Sequence, residues 1–147
     1  MPATELRDAR TVYSAPRAFV DTNVLIYALD SDPQRSGRAE QLLMQRPFIS
    51  VQALNEVVNV LRRKRMLDWN AITDVAAQLA SLCEVVGQTL ETHQQALALM
   101  SRYSLAWWDA LMLAAALHTA AETFFSEDLQ DGLLVQGRLR IRNPFAG

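Results

Sequence analysis

The chain has 147 residues, half of them hydrophobic and a fifth charged, with a formal net charge of -2. That suits one domain with a sizeable core and argues against a large basic surface for non-specific nucleic-acid binding. Cys83 is the only cysteine beside two histidines, which excludes an intramolecular disulfide and makes a cysteine-based zinc site implausible.

Residues 1–17 are polar, carry Pro2 and Pro16 and lack an apolar core. They are expected to be a flexible N-terminal arm rather than a signal peptide. The domain is expected over 18–147. Ala18-Phe19-Val20 is a short apolar run ending at Asp21, the pattern of a buried strand. Residues 24–29 should form a short helix capped by Thr22 or Asn23. Asp32-Pro33 marks the start of another, to about 45.

Phe48-Ile49 reads as a second strand, with Ser50 capping a helix over 51 to about 66. Asp68 or Asn70 opens the next, where Ile72, Val75, Leu79 and Leu82 recur at helical spacing. Val85-Val86 is a third candidate strand. Thr92 to Gln95 has a capping-box pattern, predicting a helix to about 102. Ser104 should start the most apolar helix, ending near 121. Its apolar stretch, 105–117, contains Asp109 and is too short to cross a bilayer. Thr123-Phe124-Phe125 is a fourth strand, and 139–141 a fifth candidate. Strands alternating with helices predict an α/β domain with a central, mostly parallel sheet of four to five strands covered on both faces.

Four acids stand in unusual places. Asp21 directly follows the first strand, so it should lie at the carboxyl edge where open α/β sheets bind ligands. Its bland role is a helix cap. Asp128 repeats the arrangement after the fourth strand, with Glu127 and Asp131 as neighbours. Asp109 shares its helix only with His118 as an ionisable group; at about 100° per residue, Leu105, Met112, Leu113 and Ala116 all point within roughly 60° of it. A carboxylate on an apolar stripe must be paired, hydrogen-bonded, protonated or metal-bound. Glu56 lies beside the Leu54, Val57, Val58, Leu61 face of its helix, where a groove-lining or an ordinary solvated glutamate would equally stand.

Two carboxylates about 4 Å apart repel by roughly 4 kcal/mol at an effective dielectric near 20. A cluster of them calls for a cation, and hard oxygen ligands favour Mg²⁺ or Mn²⁺ over zinc. Arg63, in the basic run 62–65, is seven residues beyond Glu56 and so shares nearly one face with it. It is a candidate RNA phosphate contact or simply a favourable charge at a helix C-terminus. Trp107-Trp108 invites a base-stacking role, but neither is assigned as a substrate contact.

Phe19 to Tyr27 resembles the opening of PIN-domain nucleases; Ile49-Ser50 with Asn55-Glu56-Val57, Trp108-Asp109-Ala110-Leu111, and Ser126 to Gly132 resemble their later acidic motifs. The subgroup it resembles is the VapC-like toxins of type II toxin–antitoxin systems. The resemblance implies a three-layer α/β/α fold and a divalent-metal-dependent endoribonuclease in the cytoplasm. It makes Asp21, Glu56, Asp109 and Asp128 the catalytic, metal-binding acids, with Thr22, Asn23 and Ser126 behind them and Asp131 as a possible additional acid. It also implies an RNA substrate, a cognate antitoxin and a homodimer. The competing readings are a haloacid-dehalogenase-like phosphatase, given Asp21-Thr22-Asn23 and the later acids, and a catalytically silent binding module.

Overall fold

The computed structural model describes residues 17–146. The arm expected over 1–17 lies outside the described residues except for Arg17, which pairs with Glu84 at 3.2 Å and stacks over the Phe48 ring.

In chain order the elements are β1 (Phe19–Val20), α1 (Thr22–Ala28), α2 (Pro33–Leu43), β2 (Phe48–Ser50), α3 (Val51–Arg63), α4 (Trp69–Leu82), β3 (Glu84–Val86), α5 (Leu90–Tyr103), α6 (Trp107–Leu117), β4 (Thr123–Phe125), β5 (Leu134–Val135) and β6 (Leu139–Arg142). Among the described residues they build one sheet in the order β3-β2-β1-β4-β6-β5. All its pairings are parallel except β5 with β6. This is the predicted mostly parallel α/β sheet, with one more strand than expected.

The strands are short, and β1 and β2 lie wholly inside while β3 at the sheet's edge is half-buried. Phe19, Val20, Ile49 and Phe124 are fully buried, and Phe19 stacks on Phe124 at 5.4 Å. Burial of each such side chain contributes about 1.5–3 kcal/mol. The chain runs outward from β1 through β2 to β3, then returns by α5 and α6 to place β4 on the other side of β1. With the right-handed crossovers that parallel strands take, this order sets α1–α4 on one face and α5–α6 on the other, in three layers. The reversal between β1 and β4 is the topological switch point. There the segments leaving β1 and β4 turn away from each other and leave a crevice beyond the strands' carboxyl ends.

Several boundaries differ from the sequence reading. Asp21, rather than Thr22 or Asn23, is the N-cap of α1. The capping box of α5 is Thr89 with Thr92, three residues earlier than predicted. Ser104 does not open the last helix. It takes φ +54° as the C-cap of α5, and α6 begins at Trp107 after Ala106, which offers no side-chain cap. The apolar character of α6 is explained by its position, since residues from Ala110 to Ala116 are all buried. The unpredicted β5 joins β6 in a hairpin with a three-residue loop, Gln136, Gly137 and Arg138, of which the first two take positive φ. No helix among the described residues is long and apolar enough to cross a membrane.

Candidate active site

β1 delivers Asp21 to the crevice at the sheet's carboxyl edge. Its backbone N–H still donates to Phe125 O of β4 at 2.9 Å, so the two strand ends are locked in register. The Asp21 carboxylate accepts from Thr22 N at 2.7 Å and from Ser126 Oγ at 2.8 Å. Ser126 is wholly buried just past β4. Its hydroxyl oxygen also accepts from the backbone of Asp128 and Leu129, which turns the loop so that Asp128 faces the crevice. Asn23 Nδ2 donates to Asp128 Oδ2 at 3.0 Å.

α3 contributes Glu56, two turns from its Ser50 cap. Thr22 Oγ1 donates to Glu56 Oε2, and Gln52 Nε2 donates to Glu56 Oε1 at 3.1 Å. α6 contributes Asp109 in its first turn, where a helix macrodipole favours negative charge. Asp21, Thr22, Asn23, Glu56, Asp109 and Asp128 all line one cavity of about 340 Å³, with Gln52, Asn59, Trp108 and Met112 in its wall. Four acids from four separate elements therefore share one space, although 107 residues separate Asp21 from Asp128.

The electrostatics carry the cost of this gathering. Burial pushes the Asp21 carboxyl up to about 6, against the lowering effect of Ser126 and Thr22, and the charges of Asp109 and Asp128 push the same way. Burial also raises Asp109, reinforced by the charges of Asp128 and Glu56. Among the described residues the ion pairs are Arg17–Glu84 and Arg35–Asp32, so no cationic side chain neutralises the cavity. Among the described residues no group of three or more His, Cys, Asp or Glu is assembled as a ready metal site. The like charges raise the cost of ionising these acids together, and a divalent cation is the species that would offset it. The donor set suits a hard ion: oxygens only, with both Asp109 oxygens making no protein hydrogen bond among the described residues.

Two predicted residues lie elsewhere. Asp131 does not line the cavity; its carboxylate accepts from Asn143 N at 2.9 Å and ties the β4–β5 loop to the chain after β6. Arg63 is exposed in the last turn of α3 and is not in the cavity wall. Glu127 turns away from the acids and accepts from Tyr27 Oη at 3.0 Å. Sequence reading missed Gln52, which is 9% exposed and joins Glu56, Trp108 O and Gln88. Its only signal was its place one helical turn before Glu56.

Compared with known proteins, residues 18–130 match the PIN domain family. A solved toxin–antitoxin complex from Klebsiella pneumoniae superposes with a TM-score of 0.67 at 20% identity, covering 86% of this chain and 97% of that one. VapC20 of Mycobacterium tuberculosis, described as a sarcin-ricin loop cleaving toxin, superposes at 0.60 with 23% identity, covering 76% and 91%. DNA-bound VapBC from Salmonella typhimurium gives 0.66 at 19% identity, covering 88% and 99%. No curated protein matches the chain in sequence.

Proposed function

The chain belongs to the PIN domain family, and on that premise we propose that it is a divalent-metal-dependent endoribonuclease acting as the toxin of a toxin–antitoxin pair in the cytoplasm. The observation that carries the chemistry is the cavity where Asp21, Glu56, Asp109 and Asp128 meet without a cationic partner. These four would hold Mg²⁺ or Mn²⁺, with Asp21 and Asp109 the most direct ligands. When bound, the ion supplies Lewis-acid activation of water and charge neutralisation at phosphorus.

The chain's own residues prepare that chemistry. Ser126 and Thr22 N each hold one oxygen of Asp21, which fixes the orientation of its carboxylate. Thr22 and Gln52 fix Glu56 by its two oxygens, and Asn23 fixes Asp128. Three of the four carboxylates are thus oriented before substrate arrives, which reduces the reorganisation left to the reaction, while Asp109 keeps both oxygens free of protein hydrogen bonds among the described residues. No histidine base is needed, and neither His93 nor His118 lines the cavity.

The partner reading is supported by the relatives solved as toxin–antitoxin complexes. We expect a small antitoxin that covers the acidic cavity with a basic side chain, and a homodimer. The phosphatase alternative falls with family membership: Asn23, at the position where that class carries its general acid, donates to Asp128 instead.

The test is RNA cleavage by purified protein freed of any partner, with Mg²⁺ or Mn²⁺ added. Cleavage should be lost in EDTA and in Asp109→Asn. Equal cleavage by wild type and Asp109→Asn would sink the assignment. A folded, metal-binding protein that cuts no RNA would favour the silent binding module.

A further inference from the structure

A second cavity, of about 610 Å³, adjoins the acidic one and is lined by Val51, Gln52, Asn55, Asn59, Gln88 and Trp108, with Gly87 at its rim and Glu56 on the shared side. Gln52, Glu56, Asn59 and Trp108 belong to both walls. Trp108 is 61% exposed on the first turn of α6, one residue before Asp109. An indole left in water beside an active site is an available stacking face. Apart from Glu56, the polar side chains of the lining are amides. Asn55 and Asn59 are exposed one turn apart on α3 and make no side-chain hydrogen bond to the protein among the described residues. Gln88 Nε2 donates to Gln52 Oε1 at 3.0 Å, and Gln52 donates on to Glu56, so the amide wall and the acid site are one hydrogen-bonded unit.

We propose that this cavity is a nucleobase subsite, in which Trp108 stacks an unpaired RNA base next to the scissile phosphate while Asn55, Asn59 and Gln88 meet its edge. This rests on the ribonuclease reading of the adjacent acids. A base is a flat aromatic disc rimmed by donors and acceptors, and the cavity offers one aromatic face with groups that both donate and accept. An acidic peptide side chain would find no complementary charge in this lining, and its one charged group, Glu56, is turned to Thr22 and Gln52 on the side shared with the acids. The shared wall makes the base site and the acid site direct neighbours. Affinity for the substrate then comes from stacking, not from a basic surface, which accords with a chain of net charge -2.

The experiment uses the full chain and a short RNA whose cut site has been mapped with wild type. The same RNA is then made with an abasic ribonucleotide on either side of that cut. Trp108→Ala should raise KM about 5- to 100-fold, the loss expected for one base–aromatic stack, while Trp108→Phe retains most of the affinity. One abasic RNA should show the same loss with wild type and no further loss with Trp108→Ala, because the two changes remove one contact. Gly87→Leu should also raise KM. A Cβ at Gly87 meets nothing within 4 Å, so this substitution fills the cavity without displacing the backbone. Unchanged KM in Trp108→Ala and Gly87→Leu, with active wild type, overturns the subsite and leaves the nuclease standing. Additive losses overturn it as well. So does loss of a protein partner with RNA constants intact, which would make the cavity a protein-docking surface. A wild type that cuts no RNA overturns the nuclease reading and the subsite together.

Discussion

Ser126 Oγ donates to Asp21 Oδ2 over 2.8 Å, joining the carboxyl ends of two adjacent parallel strands that are 105 residues apart in the chain. The same hydroxyl accepts from Asp128 N, so one buried oxygen sets the place of two acids. Ser126→Ala should therefore lower kcat/KM by about 10–100-fold, the usual cost of losing a group that orients a ligand. Metal affinity measured by titration should fall with it, since the hydroxyl also holds Asp21 ionised. Unchanged metal binding and unchanged cleavage would show that the strand ends alone suffice to position Asp21.

The pH dependence of the metal-free protein follows from the sign of the Asp21 shift. Its folded-state carboxyl lies at about 6, above the ordinary 3.8, so the native state holds a proton that the unfolded state has released between those values. Stability contributed by this group is present below about pH 4 and is lost as pH rises through 6. The loss is on the order of 3 kcal/mol for this single buried group. Asp109 acts in the same direction, while Asp128 and Glu56 supply the opposing charge. Urea midpoints of the metal-free protein should fall from pH 5 to 7.5, and Asp21→Asn should flatten that fall. Saturating Mg²⁺ should restore midpoint at neutral pH. A midpoint that rises across this interval without metal would contradict the assigned burial of Asp21.

Asp109→Asn separates catalytic from structural roles. The carboxylate sits half-buried beside Asp128 and Glu56, and none of its oxygens accepts a hydrogen bond from the protein among the described residues. Removing its charge should abolish cleavage yet raise the metal-free melting temperature at pH 7.5 by roughly 2–5 °C, a gain of about 1 kcal/mol. In Mg²⁺ the ranking should reverse, because only wild type gains from the ion. A lower melting temperature without metal would mean that the Asp109 charge stabilises the first turn of α6 by more than the neighbouring acids destabilise it.

Much of this arrangement was legible in the sequence because of where strands end. Phe19-Val20-Asp21 and Thr123-Phe124-Phe125 change from apolar to polar within one residue, and in a parallel sheet that change marks the binding edge. Asp109 was legible as an acid in an otherwise apolar helix. What stayed hidden depends on tertiary contacts. Gln52 looks like any helical glutamine until Gln88, from another loop, meets it. β5 is two residues long, and Gln136 occupies a left-handed turn position that usually takes Asn, Asp or Gly. Ser104 has the composition of an N-cap but serves as a left-handed C-cap, because Leu105 and Ala106 still have to turn the chain into α6.

The two acids of the β4–β5 loop should behave oppositely. Asp128 lines the cavity and is held by Asn23, whereas Asp131 faces away and accepts from Asn143 N at 2.9 Å. Asp128→Asn keeps the shape and removes one of four charges, so cleavage should fall steeply while metal-free stability holds or rises. Asp131→Ala leaves the cavity charges intact but frees the backbone that follows β6, at a cost of about 1 kcal/mol for the lost hydrogen bond. Its cleavage rate at 25 °C should stay within about two-fold of wild type, a change of under about 0.5 kcal/mol in barrier. Measuring both variants by cleavage and by thermal melting decides the matter. If Asp131→Ala loses activity and Asp128→Asn keeps it, Asp131 is the fourth acid, and the loop must rearrange when substrate and metal bind.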